Sequence, residues 1–399
     1  MFTVAPIASP IHDQASLERL VDAFLPALNS IGGSLHPSDG PILPFVLTGG
    51  TEAQILEQWD ADEPLFLIAH PNQNSLPSSL EALARVGQLG GRGRILYLSG
   101  PDDREGLDEI ADAVHDLSVY RQMRRQIIGV VGPPSDWLVA SMPDPDVLKA
   151  AWGPTAVPIT LDRLYGAYTT DPDIEPLPAG EARIEIGEIA KADGIYKGLQ
   201  ELIKGENLDA LSLRCFDVIG ELDTTGCLAL ARLNDEGTIA GCEGDLVSTV
   251  TMMWVRELLG EVAWMANPSR VDPVENTLWL AHCTVPPSLV SNLRLDTHYE
   301  SNRGVGMHGD FAAGPITVVR VGGNKMERLW LAEGEILRPG DEPNLCRTQV
   351  ELRLEDGAVD QLLGDPLGNH LVMIRGHQAD RLRSWWTTMV APRSTTAAR

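Results

Sequence analysis

Three polar side chains follow or close apolar stretches of the sequence. Glu243 follows "TIAGC", Asn267 closes "EVAWMAN" and His282 closes "NTLWLAH". We expect the three stretches to be strands of one parallel sheet. The three side chains would then lie at the carboxyl ends of their strands, where open α/β sheets bind ligands. Neighbouring strands lie about 4.8 Å apart, so the first and third side chains are close enough to share one ion.

His370 is a fourth candidate, at the start of the apolar run "HLVMIRG". Glutamate and neutral histidine supply the oxygen and nitrogen donors that suit a divalent ion such as Mn²⁺, Mg²⁺ or Co²⁺. The sequence therefore favours a metal site built from Glu243, Asn267, His282 and His370. The alternative is an α/β protein without a metal, since a histidine beside an apolar strand is commonly a hydrogen-bonded core residue.

The composition is that of an acidic globular protein of 399 residues with a formal net charge of -25. A charge of this sign repels phosphate backbones and anionic lipids, which argues against nucleic-acid and membrane partners. The first residues lack a signal-peptide pattern and no apolar run reaches about 18 residues, so we predict a cytoplasmic protein. The five cysteines are an odd number without a C-x-x-C pair, which predicts free thiols.

The first part of the chain alternates short apolar runs with amphipathic stretches, such as "TVAPIAS" followed by "SLERLVDAFLPALNSIG". Strands followed by helices of this length build a parallel sheet through right-handed crossovers. This pattern predicts a flavodoxin-like or Rossmann-like layer. No G-x-G-x-x-G follows the first strand and no Walker A sequence occurs, so nucleotide binding has little support.

The composition and the hydrophobic pattern of the sequence change twice along the chain. A stretch rich in proline and acidic residues, from "AAWGPTAVPITLDRLYGAY" to "TTDPDIEPLPAGEARIE", is typical of a hinge. From about residue 286, alternating stretches such as "GPITVVRVGG" predict strands. We expect an N-terminal α/β domain over residues 1–160, a second α/β domain over 161–285, a β-rich domain over 286–390 and a disordered tail over 391–399.

Three motifs in this order, "CEGDLVSTVTM", "WMANPSRVDPVENTLWLAHC" and "GNHLVMIRGHQADRL", resemble the C-terminal signatures of the L-fucose isomerase and L-arabinose isomerase superfamily. The resemblance is strongest to its shorter fucose isomerase-like branch and covers about residues 210–385. It implies parallel-sheet α/β domains followed by a β-rich C-terminal domain. It also implies a homo-oligomer, a trimer or hexamer, in which His70 and Asn74 of "HPNQNSLP" face the pocket of an adjacent subunit.

The same resemblance implies roles for individual residues. Glu243 corresponds to a metal ligand and proton-transfer base, and His370 to a metal ligand. Asn369 corresponds to a residue that contacts sugar hydroxyls. His282 matches, after a short gap, a further metal histidine of the arabinose isomerases. Asn267 occupies the position of the family's second acid.

An amide at position 267 can ligate an ion through its carbonyl oxygen, but it cannot accept a proton at neutral pH. A second carboxylate, if the reaction needs one, must come from elsewhere, and Asp245, Glu300 and Asp310 are candidates. His298 and Glu300 lie in the glycine-rich stretch "DTHYESNRGVGMHGD", which either binds substrate hydroxyls or is a solvated loop.

Arg347 begins the alternating stretch "RTQVELRL". Its guanidinium would recognise a carboxylate, phosphate or sulfonate of a modified sugar in bidentate fashion, and a structural ion pair is the alternative.

The leading hypothesis is an aldose-ketose isomerase that acts on a free or modified monosaccharide through a cis-enediol, with Mn²⁺ as the expected ion and Mg²⁺ or Co²⁺ as alternatives. Because Asn267 replaces the second acid, three other readings stay open: a metal-dependent sugar epimerase, a retro-aldol lyase and a sugar-binding homologue with altered catalysis.

Overall fold

The computed structural model describes residues 1–170 and 181–392, and these form two compact units. Unit 1 comprises Met1–Arg121 with Trp385–Ala391, and unit 2 comprises Gln122–Ser384. Residues 171–180 of the predicted hinge and residues 393–399 of the predicted tail lie outside the described residues. The domain boundaries at residues 160 and 285 stay predictions.

Unit 1 contains a five-stranded parallel sheet with the order β2-β1-β3-β4-β5, which is the flavodoxin-like order. Its strands are β1 (Phe2–Ile7), β2 (Gly33–Ser34), β3 (Ile42–Val46), β4 (Leu65–Ala69) and β5 (Gly93–Tyr97). Its helices are α1 (Gln14–Ser30), α2 (Glu52–Gln58), α3 (Ser75–Gln88) and most of α4 (Arg104–Arg125). The predicted parallel α/β layer is confirmed.

Unit 2 begins with a four-stranded parallel sheet of order β10-β9-β6-β7. Its strands are β6 (Ile127–Val131), β7 (Thr155–Ile159), β9 (Ala210–Leu213) and β10 (Ile239–Cys242). The helices of this part of the chain are α5 (Pro145–Ala151), α6 (Leu161–Ala167), α7 (Ile186–Glu206), α8 (Cys215–Leu222), α9 (Cys227–Glu236) and α10 (Leu246–Leu259).

Helix α10 is buried on almost every side, including at Leu246, Val250, Met253 and Leu258. A helix that is apolar all round belongs in a core rather than on a surface. Its ends are fixed by the side chain of Asp245, which accepts a hydrogen bond from the Ser248 amide, and by Gly260 in the left-handed conformation.

The rest of unit 2 is β-rich, as predicted. A closed barrel has the order β11-β12-β17-β16-β15-β18, and a three-stranded sheet has the order β14-β13-β8. The strands are β8 (Glu181–Ala182), β11 (Trp264–Asp272), β12 (Thr277–His282), β13 (Ser291–Asp296), β14 (Gly306–Asp310), β15 (Gly314–Gly322), β16 (Arg328–Pro339), β17 (Thr348–Leu354) and β18 (Leu371–Arg375). Two helices, α11 (Ala358–Gly364) and α12 (Ala379–Met389), and a 3₁₀ turn at Pro287–Leu289 complete the elements.

The barrel is filled by alternate residues of its strands. Its interior belongs to a hydrophobic cluster that includes Trp264, Leu280, Val318, Leu352 and Met373. All five cysteines are free, as predicted. Within residues 1–170 and 181–392, no helix is long and apolar enough to cross a membrane.

The expectation that Glu243, Asn267 and His282 end three strands of one parallel sheet is wrong. Strand β10 is parallel to β9, but β11 and β12 are antiparallel neighbours in the barrel. Only four residues separate β11 from β12, whereas a parallel pair needs a crossover of about a dozen residues or more. Asn267 therefore lies inside β11 rather than at its end.

Candidate metal centre

Three of the predicted ligands converge in unit 2. Glu243, His282 and His370 are all buried, and one potential ligand atom of each lies within 4.8 Å of the others. Glu243 directly follows β10, His282 is the last residue of β12 and His370 precedes β18. Ligands of one ion lie about 2.0–2.6 Å from it, so donor atoms at this spacing can share a divalent cation.

The backbone at Glu243 is held in an unusual conformation. Glu243 has a φ of 61° and the following Gly244 a φ of 76°, both in the left-handed region. The Ser135 amide donates to the Glu243 carbonyl at 2.9 Å, and a Cβ at Gly244 would come within 2.6 Å of the Cα of Pro134. A non-glycine residue pays about 1–2 kcal/mol for this conformation, which persists because its neighbours fix the turn.

The two carboxylate oxygens of Glu243 have different surroundings. Oε1 lies 3.5 Å from His370 Nε2, and Oε2 accepts a hydrogen bond from Trp137 Nε1 at 2.6 Å. Burial raises the pKa of Glu243, but His370, Trp137 and His282 together lower it by a larger amount, so the pKa lies below its ordinary value. The carboxylate is thus ionised at neutral pH.

His370 is fully buried between two carboxylates. Its Nδ1 lies 2.9 Å from Asp245 Oδ2, and its Nε2 makes no hydrogen bond to any described residue. Burial lowers the pKa of His370, whereas Asp245 and Glu243 raise it, to about 9 overall. Two carboxylates therefore favour a cation at Nε2, either a proton or a metal ion.

Asp245 holds His370 in place. Its Oδ1 accepts from the Ser248 amide at 2.8 Å and its Oδ2 from the Ser248 hydroxyl at 2.9 Å. Burial raises the pKa of Asp245, but Arg320 and His370 lower it more strongly. The structure places Asp245, a predicted candidate for the second acid, as a fully buried helix cap and partner of His370.

Arg320 connects the elements around this pair. It is 1% exposed, and its Nη1 donates to Ser248 Oγ at 2.8 Å and to the His370 carbonyl at 3.0 Å. Nη1 also lies 3.3 Å from Asp245 Oδ2, and Nη2 donates to Ser141 Oγ at 2.6 Å. Sequence analysis missed Arg320, although an arginine inside the apolar strand "ITVVRVGG" is a signal for a buried ionic contact.

His282 presents the form of histidine that binds metals. Its Nδ1 is paired with Thr284 Oγ1 at 2.7 Å, and its ring centroid lies 5.5 Å from that of His370. Burial and the neighbouring His370 lower the pKa of His282 to about 3. The ring is therefore neutral, and Nε2 is the nitrogen left for a ligand.

Asn267 lies in β11, which pairs with β12, the strand that ends in His282, and with β18, the strand that follows His370. It pairs with Ala281 of β12, and Ala266 before it pairs with Leu371 of β18. Asn267 Oδ1 is buried and has no hydrogen-bond partner among the described residues. An orphaned buried polar atom costs about 1–3 kcal/mol, and the orphaned Nε2 of His370, a member of the donor cluster, fits a divalent cation there.

The loop between β13 and β14 is electrostatically coupled to Glu243. His298 is buried with Nδ1 3.0 Å from Ser301 Oγ; burial and Arg347 lower its pKa, while Glu243 raises it. Glu300 is exposed, and burial of part of its side chain and the charge of Glu243 raise its pKa. The charges of Glu243 and Glu300 therefore interact, and Glu300 stays a candidate for the second carboxylate.

Arg347 is a partly buried cation next to this loop. Its Nε donates to the Thr297 carbonyl at 2.7 Å and its Nη2 to Thr297 Oγ1 at 3.0 Å. No carboxylate oxygen of the described chain lies within 4 Å of its guanidinium, so the alternative of a structural ion pair finds no partner there.

Four predicted residues remain to be described. Asn369 is exposed, directly before His370, and Asp310 in β14 accepts from Asn292. His70 and Asn74 belong to unit 1, where His70 is fully buried with Nε2 3.1 Å from the Leu47 carbonyl and Asn74 is the exposed cap of α3.

No family model matches the chain. Three of the proteins to which it is similar are named as isomerases. The sulfoquinovose isomerases of Priestia megaterium and Priestia aryabhattai are each 25% identical to it over 286 residues, 66% of this chain and 62% of theirs. The sulfoquinovose isomerase of Clostridium sp. strain MSTE9 is 26% identical over 350 residues, 81% of this chain and 76% of its own. The chain thus spans about three fifths of the Priestia proteins.

Proposed function

We propose that this chain is an aldose-ketose isomerase that acts on an anionic, modified monosaccharide. The observation that carries the proposal is the convergence of Glu243, His282 and His370 within 4.8 Å. The similarity to three sulfoquinovose isomerases supports the reaction class and the modified sugar. We propose Mn²⁺ as the ion, with Mg²⁺ or Co²⁺ as alternatives, held by these three side chains and the carbonyl oxygen of Asn267.

A bound divalent ion would stabilise negative charge on two neighbouring oxygens of the sugar. Glu243 is the base: it takes the proton from C2 of the aldose and returns it to C1. The hydroxyl proton moves from O2 to O1, so the cis-enediol converts to the ketose without loss of atoms. Since Asn267 cannot accept a proton, a single carboxylate carries the carbon-bound proton in both half-reactions.

Asp245 and Arg320 prepare His370 for its role. The contact of Asp245 Oδ2 with Nδ1 keeps a proton on that nitrogen, so Nε2 is the nitrogen that faces the centre and exchanges its proton for an ion. Arg320 fixes the His370 carbonyl and the carboxylate of Asp245 at the same time. The ligand is therefore oriented before any ion binds.

Arg347 supplies the local positive charge that an anionic sugar requires. The net charge of -25 gives no long-range attraction for an anion, so recognition depends on a nearby cation. A guanidinium binds a sulfonate through charge-assisted hydrogen bonds, and no carboxylate of the described chain neutralises Arg347.

The test is to incubate the full chain and Mn²⁺ with sulfoquinovose in D₂O and to identify the products. We expect the corresponding ketose with deuterium exchange at the transferred position. Glu243→Gln should lower kcat by about 10³-fold or more because it removes the base, whereas Glu335→Gln, an exposed acid in β16, should leave kcat unchanged. Exchange at C2 without ketose would instead indicate an epimerase, and shorter-chain products a lyase.

A further inference from the structure

Trp137 is the one exposed tryptophan of the nine in the chain, all of which lie within the described residues. Its side chain is 53% exposed, whereas the other eight are buried or partly buried. Its Nε1 donates to Glu243 Oε2 at 2.6 Å. The exposed indole is therefore hydrogen-bonded directly to the acid of the candidate metal centre.

The segment that carries Trp137, residues 132–144 between β6 and α5, is anchored around Glu243. The Ser135 amide donates to the Glu243 carbonyl at 2.9 Å, and Arg214 Nη1 donates to the Pro134 carbonyl at 2.7 Å. Farther along, Ser141 Oγ accepts from Arg320 Nη2 at 2.6 Å. The position of the indole is thus set by contacts on both sides of it in the chain.

Aromatic rings continue from Trp137 toward the predicted substrate loop. The Trp137 and Phe216 rings are perpendicular, at 89°, with centroids 5.1 Å apart. The Phe216 and His298 rings meet at 80° with centroids 5.8 Å apart. Edge-to-face contacts of this kind fix ring orientation. Three rings are therefore in contact one after another, from Trp137, which donates to Glu243, to His298.

We propose that Trp137 is a sugar-binding residue, whose exposed indole face packs against the C–H-bearing face of the monosaccharide. This inference rests on the proposed function. An indole has one polar group, its N–H, and here Glu243 already occupies it. What Trp137 offers a ligand is its apolar face, and small-molecule sites combine such faces with a few fixed polar groups. The aldose presents its hydroxyls to the donors, its anionic group to Arg347 and its C–H groups to the indole.

The experiment is calorimetric titration of the Mn²⁺-loaded full chain with sulfoquinovose reduced to its alditol, a ligand that cannot isomerise. Trp137→Ala should weaken binding by about tenfold, because the apolar contact is lost. Trp137→Phe keeps an aromatic face and should bind within about threefold of the unchanged protein. Val139→Ala, at an 87% exposed position of the same segment, is the matched control and should bind normally.

A second measurement uses the unchanged protein. Alditol binding should shield Trp137 from acrylamide and lower the quenching of fluorescence, and this effect should be absent in Trp137→Phe. If Trp137→Ala binds the alditol as tightly as the unchanged protein, or if Trp137→Phe loses as much affinity as Trp137→Ala, the inference is overturned and the proposed function stands. If the unchanged protein binds neither alditol nor sugar, both fall.

Discussion

Two fully buried histidines, His70 in unit 1 and His370 in unit 2, have opposite chemistry. His70 pairs through Nε2 with the Leu47 carbonyl and accepts a hydrogen bond from the Asn72 amide at Nδ1. Burial lowers the pKa of His70 by more than the contact with Leu47 raises it. His370 lies between Asp245 and Glu243, which outweigh burial and raise its pKa to about 9. Burial alone therefore makes a neutral core residue, and carboxylates on both ring nitrogens make a cation site.

The strongest test of this comparison removes each ring in turn. His370→Ala should weaken Mn²⁺ binding by at least about 10²-fold because it deletes a ligand nitrogen at a centre of three. His70→Ala should leave Mn²⁺ affinity unchanged and lower the free energy of unfolding by about 2–4 kcal/mol, because it leaves a cavity and unpaired backbone groups. Metal titration and chemical denaturation of both variants measure the two effects. Equal metal affinity in the two variants would contradict the proposed centre.

Asp245→Asn probes the charge behind His370 while keeping the side-chain shape. We expect Mn²⁺ affinity to fall about 10- to 100-fold, as for other residues that orient a ligand histidine. The unfolding temperature should also fall, since Arg320 loses the charge that offsets its burial. Asp310→Asn, a carboxylate in β14 outside this network, is the matched control. Undiminished metal affinity in Asp245→Asn would show that Asp245 acts on folding alone.

Arg347→Ala separates the anion from the metal. We expect KM for sulfoquinovose to rise about tenfold or more while Mn²⁺ affinity stays the same, because a charge-assisted contact to the sulfonate is lost. Glucose, which lacks the sulfonate, should be affected little, and steady-state kinetics with both sugars gives the comparison. An equal change for both sugars would mean that Arg347 does not recognise the anionic group.

The smallest effect concerns the pH dependence of unfolding that His70 causes. Because its pKa in the folded protein lies below the ordinary value of 6.5, the unfolded chain binds the proton first. The contribution of neutral His70 to the free energy of unfolding is therefore fully present above about pH 6.5. It is lost as the pH falls toward the folded-state pKa, by at most about 1.4 kcal/mol per pH unit. Denaturation at pH 7.5 and 5.5 should show a smaller pH effect in His70→Asn, and an unchanged pH effect would refute this account.

Much of the fold follows from local sequence. The periodicity of residues 1–121 predicts the parallel layer, and the alternating stretches after residue 286 predict the four later strands of the barrel. The turn "DPVEN" carries the signal that was missed: its proline and its Asn276, with a φ of 52°, form a tight connection that allows only antiparallel pairing of β11 and β12.

The site was partly predictable for a physical reason. Glu243 sits at a strand end that the sequence marks, and the resemblance indicated His370. The partners that tune these ligands come from distant parts of the chain: Trp137 contacts Glu243 across 106 residues and Arg320 contacts Asp245 across 75. No local pattern encodes such contacts, because they exist only after the segment before α5, helix α10 and the barrel have packed together.

Gly368 shows that a residue without a side chain can be required by this site. The residue has no side chain to bind an ion or a sugar, yet its φ is 148° and a methyl group there would come within 2.2 Å of Arg320 Nη2. A side chain at this position would clash with the guanidinium that contacts both Asp245 and the His370 carbonyl. Any other residue at this position would also strain the backbone, so removing the side chain of Arg320 would not make the position tolerant of substitution.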